Sequence, residues 1–133
     1  MEDRYLFRAK RIDTGEWIIG SLLVDKQQDI ETGEQIEIIG IYPSEYKDFA
    51  KKVDPSTVCQ CTGLKDKNGK LIWENDIVKI NNSKVNTVIA FRDFETICTI
   101  PNEKYYKHRL EYDTEYEVIG NVFDNPELLE VQE

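Results

Sequence analysis

The chain has 133 residues and a mass of 15.6 kDa, which suits one ordinary domain or two very small ones. Hydrophobic residues make up 40% of it, which excludes a disordered chain, and no apolar run approaches the ~18 residues of a membrane span. Acidic residues outnumber basic ones by 26 to 17, and the net charge of −9 disfavours direct binding to a phosphate backbone.

The N-terminus and the cysteines both indicate a soluble, cytoplasmic protein. Charges interrupt the opening sequence MEDRYLFRAKRID, where a signal peptide would carry its apolar stretch. The three cysteines are an odd number for a disulfide framework, so free thiols in a reducing compartment are the simplest interpretation.

The type of apolar residue predicts a β-rich chain. The sequence contains 15 Ile, 9 Val and 8 Thr, against only 8 Leu and 3 Ala. β-Branched side chains lose rotamer freedom in helices and pack well on a pleated sheet.

The N-terminal half predicts three strands and one helix. The strands are expected at residues 4–11, 17–24 and 35–42, with turns between them. Tyr46, Phe49, Ala50 and Val53 share one helical face, which predicts a helix near residues 44–52.

The C-terminal half predicts six strands and a short terminal helix. Asn68-Gly69 is the strongest hairpin signal, and Asn125-Pro126 predicts a helix near residues 126–131. The strands are expected at residues 58–62, 71–73, 77–80, 87–91, 96–100 and 110–118.

Short strands at regular spacing predict an all-β, mainly antiparallel fold. The best position for a boundary between two parts of the chain lies near residues 54–62. We therefore expect an N-terminal β subdomain over residues 1–60, packed on a C-terminal small barrel over residues 61–133, with one continuous domain as the alternative.

Three motifs occur in order along the chain. They are Phe7-Arg8-Ala9 with Trp17 and Gly20, the stretch from Val53 to Val78, and the run Tyr116–Asn121 with Asn125–Leu129. Together they resemble the YopX family, whose members are small proteins of phages and prophages of Bacillus and its relatives. The resemblance implies an all-β fold with an SH3-like barrel in the C-terminal half, assembly into homo-oligomers, and no known enzymatic activity. The chain departs from the family at Cys59 and Asn75, where glycine is more common.

The cysteines and the only histidine are a candidate zinc set. Cys59 and Cys61 would share a strand face roughly 6.5–7 Å apart, and Cys98 and His108 could complete a Cys₃His site. Structural zinc usually takes paired C-x₂₋₄-C spacing, so we favour buried, apolar thiols and expect no metal or other cofactor.

An acidic row forms a second candidate site, at Glu111, Asp113, Glu115 and Glu117. The simplest interpretation is a solvated outer strand face. It could also be a docking face for a host or phage protein with a basic surface. Hydrolysis of a sugar by two carboxylates is a remote alternative, because that chemistry needs one dry and one wet environment.

Large aromatic residues form a third candidate site. Trp17 and the pair Tyr105-Tyr106 suit a core or an oligomer interface. With Lys104, Lys107 and Arg109 nearby, the tyrosines could alternatively stack single-stranded nucleic acid.

These patterns favour a protein that acts by contact rather than by catalysis. His108 lies in a charged Lys-His-Arg segment, the glycines are isolated, and no nucleophile has a credible base. We expect a non-catalytic phage accessory protein that assembles with itself. A nucleic-acid-binding β-barrel is the alternative, and a small hydrolase using acidic residues is the remote one.

Self-assembly follows from two apolar runs, WIIGSLLV and IIGIY. They suit strands buried on both faces, yet a subdomain of about 60 residues has little material to cover them. A neighbouring copy of the chain would supply the cover.

Overall fold

The structure is a computed structural model that describes residues 5–43, 49–92, 95–100, 108–110 and 114–130. It confirms a mainly antiparallel β fold, with short 3₁₀ helices at Pro55–Thr57 and Pro126–Leu129. The chain divides into two compact units, Met1–Gln60 and Cys61–Glu133. The strands are β1 (Phe7–Lys10), β2 (Trp17–Gln28), β3 (Gln35–Pro43), β4 (Lys51–Lys52), β5 (Cys59–Lys65), β6 (Leu71–Trp73), β7 (Asp76–Ile80), β8 (Thr87–Arg92), β9 (Glu95–Thr99), β10 (His108–Arg109) and β11 (Tyr116–Asn121).

The N-terminal unit is an antiparallel sheet in the order β4-β3-β2-β1, with the first residues of β5 beside β1. The β1–β2 hairpin aligns Phe7 with Gly20 and Lys10 with Trp17. The β2–β3 hairpin is longer, because its pairing continues from Gly20 opposite Pro43 to Gln28 opposite Gln35. Each hairpin turn carries a glycine with φ near +75°, which other residues rarely adopt.

One face of this sheet forms the core of the N-terminal unit. Ala9, Ile41 and Val53 are fully buried. The half-buried side chains packed against them are Phe7, Ile18, Leu22, Ile39 and Val58. Gly40 lies beside β4, and a Cβ atom there would stand 3.0 Å from the carbonyl oxygen of Lys51. The predicted alternation of β1 is confirmed, because Phe7 and Ala9 face this core.

The Pro55-Ser56-Thr57 motif ties the end of the N-terminal unit to β1. Asp54 caps the 3₁₀ helix by accepting the N–H of Ser56 at 3.0 Å. The Thr57 hydroxyl accepts the N–H of Lys10 at 2.8 Å. Cys59 then enters β5 and is absent from the positive-φ positions of the described chain, so glycine is not needed there.

The C-terminal unit contains a five-stranded antiparallel sheet in the order β10-β9-β8-β7-β11, and β6 pairs with the later part of β5. Its core is Ile72, Val78, Ile89, Cys98 and Tyr116. Trp73 is also buried, as a core aromatic. Closure of these strands into an SH3-like barrel stays a prediction.

A buried carboxylate holds the predicted Asn68-Gly69 hairpin in place. One oxygen of Asp66 accepts the N–H groups of Asn68 and Lys70, both at 2.9 Å. The other oxygen accepts the N–H of Val118 in β11 at 3.0 Å. Burial by itself would raise the pKa of Asp66, but these three backbone donors outweigh it and hold the pKa below the ordinary value of 3.8.

Two asparagines explain further parts of the family motifs. Asn75 has φ +70°, the conformation that glycine would supply and that asparagine tolerates best among other residues. Asn125 accepts the N–H of Asn121 at 3.1 Å through its side chain. A Cβ at Gly120 would lie 2.5 Å from that same Asn125 oxygen, so a larger residue there would displace the Asn125 side chain.

Two sequence predictions are wrong in detail. The helix near residues 44–52 does not extend to its predicted end, because Lys51–Lys52 is β4 and pairs with Gly40 and Ile41; residues 44–48 lie outside the described ranges. Of the strand predicted over residues 110–118, only Tyr116–Val118 is seen as strand among the described residues; Leu110, Thr114 and Glu115 are in loops, and residues 111–113 lie outside the described ranges. The prediction rested on acidic residues at every second position from Glu111 to Glu117, a pattern with no signal for a start at Tyr116.

Other boundaries shift by a few residues. β2 continues to Gln28, four residues beyond its predicted end, because β3 pairs with it throughout. The helix predicted near residues 126–131 is a 3₁₀ helix at Pro126–Leu129, and residues 131–133 are not described. Within the described part of the chain, no helix is long and apolar enough to span a membrane.

Candidate interaction surface

The second face of the N-terminal sheet is here called the outward face. It exposes side chains of β2 and β3, while Cys59 of β5, directly opposite Arg8, is buried on it. Residues directly opposite each other on antiparallel strands share a face, and alternate residues along a strand do too. The strand pairings therefore place one set of side chains on this face. The set is Arg8, Lys10, Trp17, Ile19, Ser21, Leu23, Asp25, Gln27, Ile36, Ile38, Tyr42 and Lys52.

The outward face exposes large apolar side chains in adjacent positions. Ile19 is 41% exposed, Leu23 43%, Ile36 45% and Tyr42 49%. Single exposed apolar residues are ordinary, but a contiguous set on one sheet face is typical of an interaction surface. The runs WIIGSLLV and IIGIY predicted strands that are buried on both faces. In the structure, one face of these strands packs in the core and the other is uncovered among the described residues.

A cation–aromatic cluster lies at one end of the outward face. The guanidinium of Arg8 is 4.7 Å from the centroid of the Trp17 ring, and the ammonium of Lys10 is 5.4 Å from it. Attraction between a cation and the ring quadrupole holds such pairs together. The exposed Lys52 on β4 belongs to the same face but pairs with Gly40, the cross-strand neighbour of Leu23, so it lies away from this cluster.

The other end is a protruding hairpin, residues 24–37, here called the arm. Its strands pair only with each other in the described structure, because β1 ends opposite Gly20 and β4 pairs only with Gly40 and Ile41. Val24 is 51% exposed and Ile30, at the tip, 99%. A two-stranded hairpin is marginally stable in water, so the arm needs other contacts. Its charged residues are Lys26 and the acids Asp25, Asp29, Glu31, Glu34 and Glu37.

The acidic row is only partly described. Glu115 precedes β11 and is exposed, while Glu117 lies within it. The ammonium of Lys67 is 3.3 Å from a Glu117 carboxylate oxygen and 3.9 Å from one of Glu115. A lysine of the same chain therefore partly neutralises these two carboxylates. Glu111 and Asp113 lie outside the described residues.

The three cysteines are buried and form no disulfide, as the core interpretation predicts. Cys59 contacts the carbonyl oxygen of Thr57 at 3.2 Å, and Cys98 packs in the C-terminal core. Burial raises the pKa of the Cys98 thiol from 9.0 to about 11. Among the described residues, no group of three or more potential ligands is placed to hold a metal ion.

Among the aromatic candidates, Trp17 is placed on the outward face, and Tyr105 and Tyr106 lie outside the described residues. Sequence analysis singled out Trp17 but missed its partners Arg8 and Lys10. The signal was available, because Arg8 and Lys10 alternate with Phe7 and Ala9, and a hairpin across Gly15 places Lys10 opposite Trp17. It also missed the arm, since polar residues after Val24 indicated the end of the strand.

Comparisons with known proteins agree with the motifs. A family model described as YopX protein matches residues 6–130. The crystal structure of protein EF1440 from Enterococcus faecalis is similar, with 28% sequence identity and a TM-score of 0.50, over 93% of this chain and 96% of that chain. No curated protein sequence matches the chain. Because the family model covers nearly its whole length, this chain belongs to the YopX family.

Proposed function

We propose that the chain is a non-catalytic phage or prophage accessory protein that acts through protein–protein contacts as a homo-oligomer. The observation that carries the proposal is the outward face of the N-terminal sheet. Ile19, Leu23 and Tyr42 are each more than 40% exposed there, on strands whose opposite face is a packed core. Burial of this apolar surface against a partner is favourable by roughly 25 cal/mol per Å² before the cost of association.

A second copy of the chain is the simplest partner. Every copy carries the same uncovered face, and self-complementary surfaces give closed symmetric assemblies. An apolar contact of this kind resists salt, since hydrophobic burial is not screened. A host or phage protein with a basic surface remains the second partner class, with Glu115 and Glu117 as its contact residues.

The non-catalytic part of the proposal rests on the chemistry of the polar groups. The Cys98 thiol, with its pKa raised to about 11, is protonated at neutral pH and is a poor nucleophile. The carboxylates of Glu115 and Glu117 share Lys67 and do not form one dry and one wet site. The phage origin rests on family membership, and the cytoplasmic location rests on three cysteines that form no disulfide.

Light scattering after size exclusion, at moderate and high salt, tests the proposal. We expect a mass that is a multiple of 15.6 kDa in both buffers at micromolar concentration. A single-chain mass in both buffers would contradict it.

Nucleic-acid binding is the second candidate, and the cluster of Arg8, Lys10 and Trp17 is the observation that favours it. Trp17 is half-buried, and cations beside an aromatic on a sheet face suit stacked single-stranded bases. Titration of a labelled oligonucleotide at low salt discriminates the two. Micromolar binding that falls steeply with salt and is lost in Trp17→Ala would favour this candidate. Absence of binding at 50 mM salt, roughly the regime where phosphate contacts are strongest, would exclude it.

A further inference from the structure

The hairpin turn at Asn68-Gly69 contains the only asparagine–glycine pair of the chain, and both residues are exposed. An asparagine side chain loses its amide spontaneously when the backbone nitrogen of the next residue attacks its Cγ carbon. Glycine leaves that approach open, because it carries no Cβ and restricts the backbone least. The pair that predicts the hairpin is therefore also the most favourable position in this chain for deamidation.

We propose that Asn68 is a site of spontaneous deamidation and that the Asp66 carboxylate sets its rate. The backbone nitrogen of Gly69 gives its proton to hydroxide and forms a bond to Cγ of Asn68. The Cγ–Nδ2 bond breaks, and the amide leaves as ammonia with a proton from water. Water then opens the resulting succinimide ring at either carbonyl, which leaves aspartate or isoaspartate. The proposal is independent of self-assembly.

The closed turn holds the attacking nitrogen away from this reaction. The N–H of Gly69 donates to the backbone carbonyl oxygen of Asp66 at 3.0 Å, and Gly69 has φ +80°. A tight turn followed by a left-handed glycine is typical of a three-residue hairpin loop. Ring closure requires the peptide between Asn68 and Gly69 to rotate until its nitrogen faces Cγ, which breaks this hydrogen bond. The attack therefore takes place from the opened turn.

The Asp66 carboxylate holds the turn closed on both sides of the Gly69 nitrogen. One oxygen accepts the N–H groups of Asn68 and Lys70, both at 2.9 Å. The other fastens the hairpin to β11 through the N–H of Val118 at 3.0 Å. The negative charge of the carboxylate also opposes the negative charge that develops on the Gly69 nitrogen. Both effects slow deamidation while the turn is closed.

Peptide mapping by mass spectrometry measures the rate at Asn68 in chains incubated at mildly alkaline pH. The folded wild type should react about tenfold or more slowly than the same chain in concentrated guanidinium chloride, because only the opened turn reacts. Asp66→Ala should react about fivefold or more faster than the folded wild type, since each lost hydrogen bond favours the opened turn by roughly that factor. The products should include isoaspartate, which direct hydrolysis of the side chain does not give.

Ile89→Val is the matched control, because it destabilises the C-terminal core at a residue outside the turn. It should leave the rate at Asn68 within about twofold of the wild type, since the turn opens locally. If circular dichroism shows that Asp66→Ala does not fold, Asp66→Asn takes its place. That side chain keeps one acceptor oxygen but loses the charge and the second acceptor, so it should still accelerate the reaction about twofold or more.

Several results would overturn the proposal. Equal rates in the folded and unfolded wild type would show that the turn gives no protection. A rate in the Asp66 variant that matches the folded wild type would show that the carboxylate does not set the rate. Equal acceleration in Ile89→Val would assign the reaction to global unfolding. Absence of reaction at Asn68 in the unfolded chain, or products without isoaspartate, would exclude the site itself.

Discussion

The two units bury apolar residues to different extents, although both are antiparallel β structures of similar length. In the C-terminal unit, Ile72, Val78 and Ile89 are all fully buried in one core. In the N-terminal unit, β2 and β3 bury Ile41 on one face and expose Leu23 and Tyr42 on the other. Among the described residues, the C-terminal unit thus covers its large apolar side chains more completely than the N-terminal unit does.

Truncation of matched isoleucines should give the largest difference between the units. Ile89→Ala opens a cavity in the C-terminal core and should lower the free energy of unfolding by about 2–5 kcal/mol. Ile36 lies on the outward face and is 45% exposed, so Ile36→Ala should lower the free energy of unfolding by less than about 1 kcal/mol at low protein concentration. Urea unfolding followed by circular dichroism measures both. Equal losses would remove the contrast between the units.

Removal of the Asp66 carboxylate should have the next largest effect. Asp66→Ala leaves three backbone N–H groups without their acceptor, which should cost about 3 kcal/mol at neutral pH. Asp29→Ala is the matched control in the arm, where the carboxylate accepts only the N–H of Glu31 in an exposed turn. That variant should change stability by less than about 1 kcal/mol. Comparable losses would show that the Asp66 network adds nothing beyond an ordinary turn.

The Asp66 effect should also depend on pH. The pKa of Asp66 in the folded chain lies below the ordinary value of 3.8, so its ionised form is stabilised by folding. That contribution is complete above 3.8 and is lost as the pH falls through the lower, folded pKa. Unfolding of the wild type and of Asp66→Ala, compared from pH 7 downward, should converge below pH 3.8. A constant difference down to acid would contradict the assignment.

The sequence predicts features that depend on neighbouring residues and misses those that depend on contacts between distant ones. Alternation predicted β1, and Asn68-Gly69 predicted the β5–β6 turn, because both signals are local. The start of β11 is set by Ile80 opposite Tyr116 and by Asp66 reaching Val118, contacts between distant residues that alternation does not contain. The outward face could not be predicted for the same reason. The apolar residues of β2 and β3 are evident in the sequence, but their exposure depends on which distant parts of the chain pack against them.

The contact between Gly120 and Asn125 should contribute less to stability than the Asp66 carboxylate does, but the effect should depend on both residues. Gly120→Ala places a Cβ against the Asn125 side chain and should cost about 1–2 kcal/mol, because Asn125 must give up its bond to the N–H of Asn121. In an Asn125→Ala background the same change should cost much less. A double-mutant cycle by urea unfolding measures the coupling, and additive losses would exclude the contact as the cause.

The ion pairs of Lys67 should have the smallest effect. Lys67→Ala removes contacts to the half-buried Glu117 and the exposed Glu115, and exposed pairs contribute about 0.2–1 kcal/mol. The loss should vanish at about 1 M salt, where charges a few ångströms apart are screened. A loss that persists in salt would mean that the packing of the Lys67 side chain matters more than its charge.

Disulfide trapping tests most directly whether the outward face of one copy lies on that of another. Leu23→Cys places a thiol on the outward face, and Val24→Cys places a similarly accessible thiol on the opposite face of the same strand. The native cysteines are buried, so they leave the reaction to the new thiol. Under mild oxidation we expect a covalent dimer from Leu23→Cys and little from Val24→Cys. Equal cross-linking of the two variants, or none from Leu23→Cys in a chain that associates, would contradict the account.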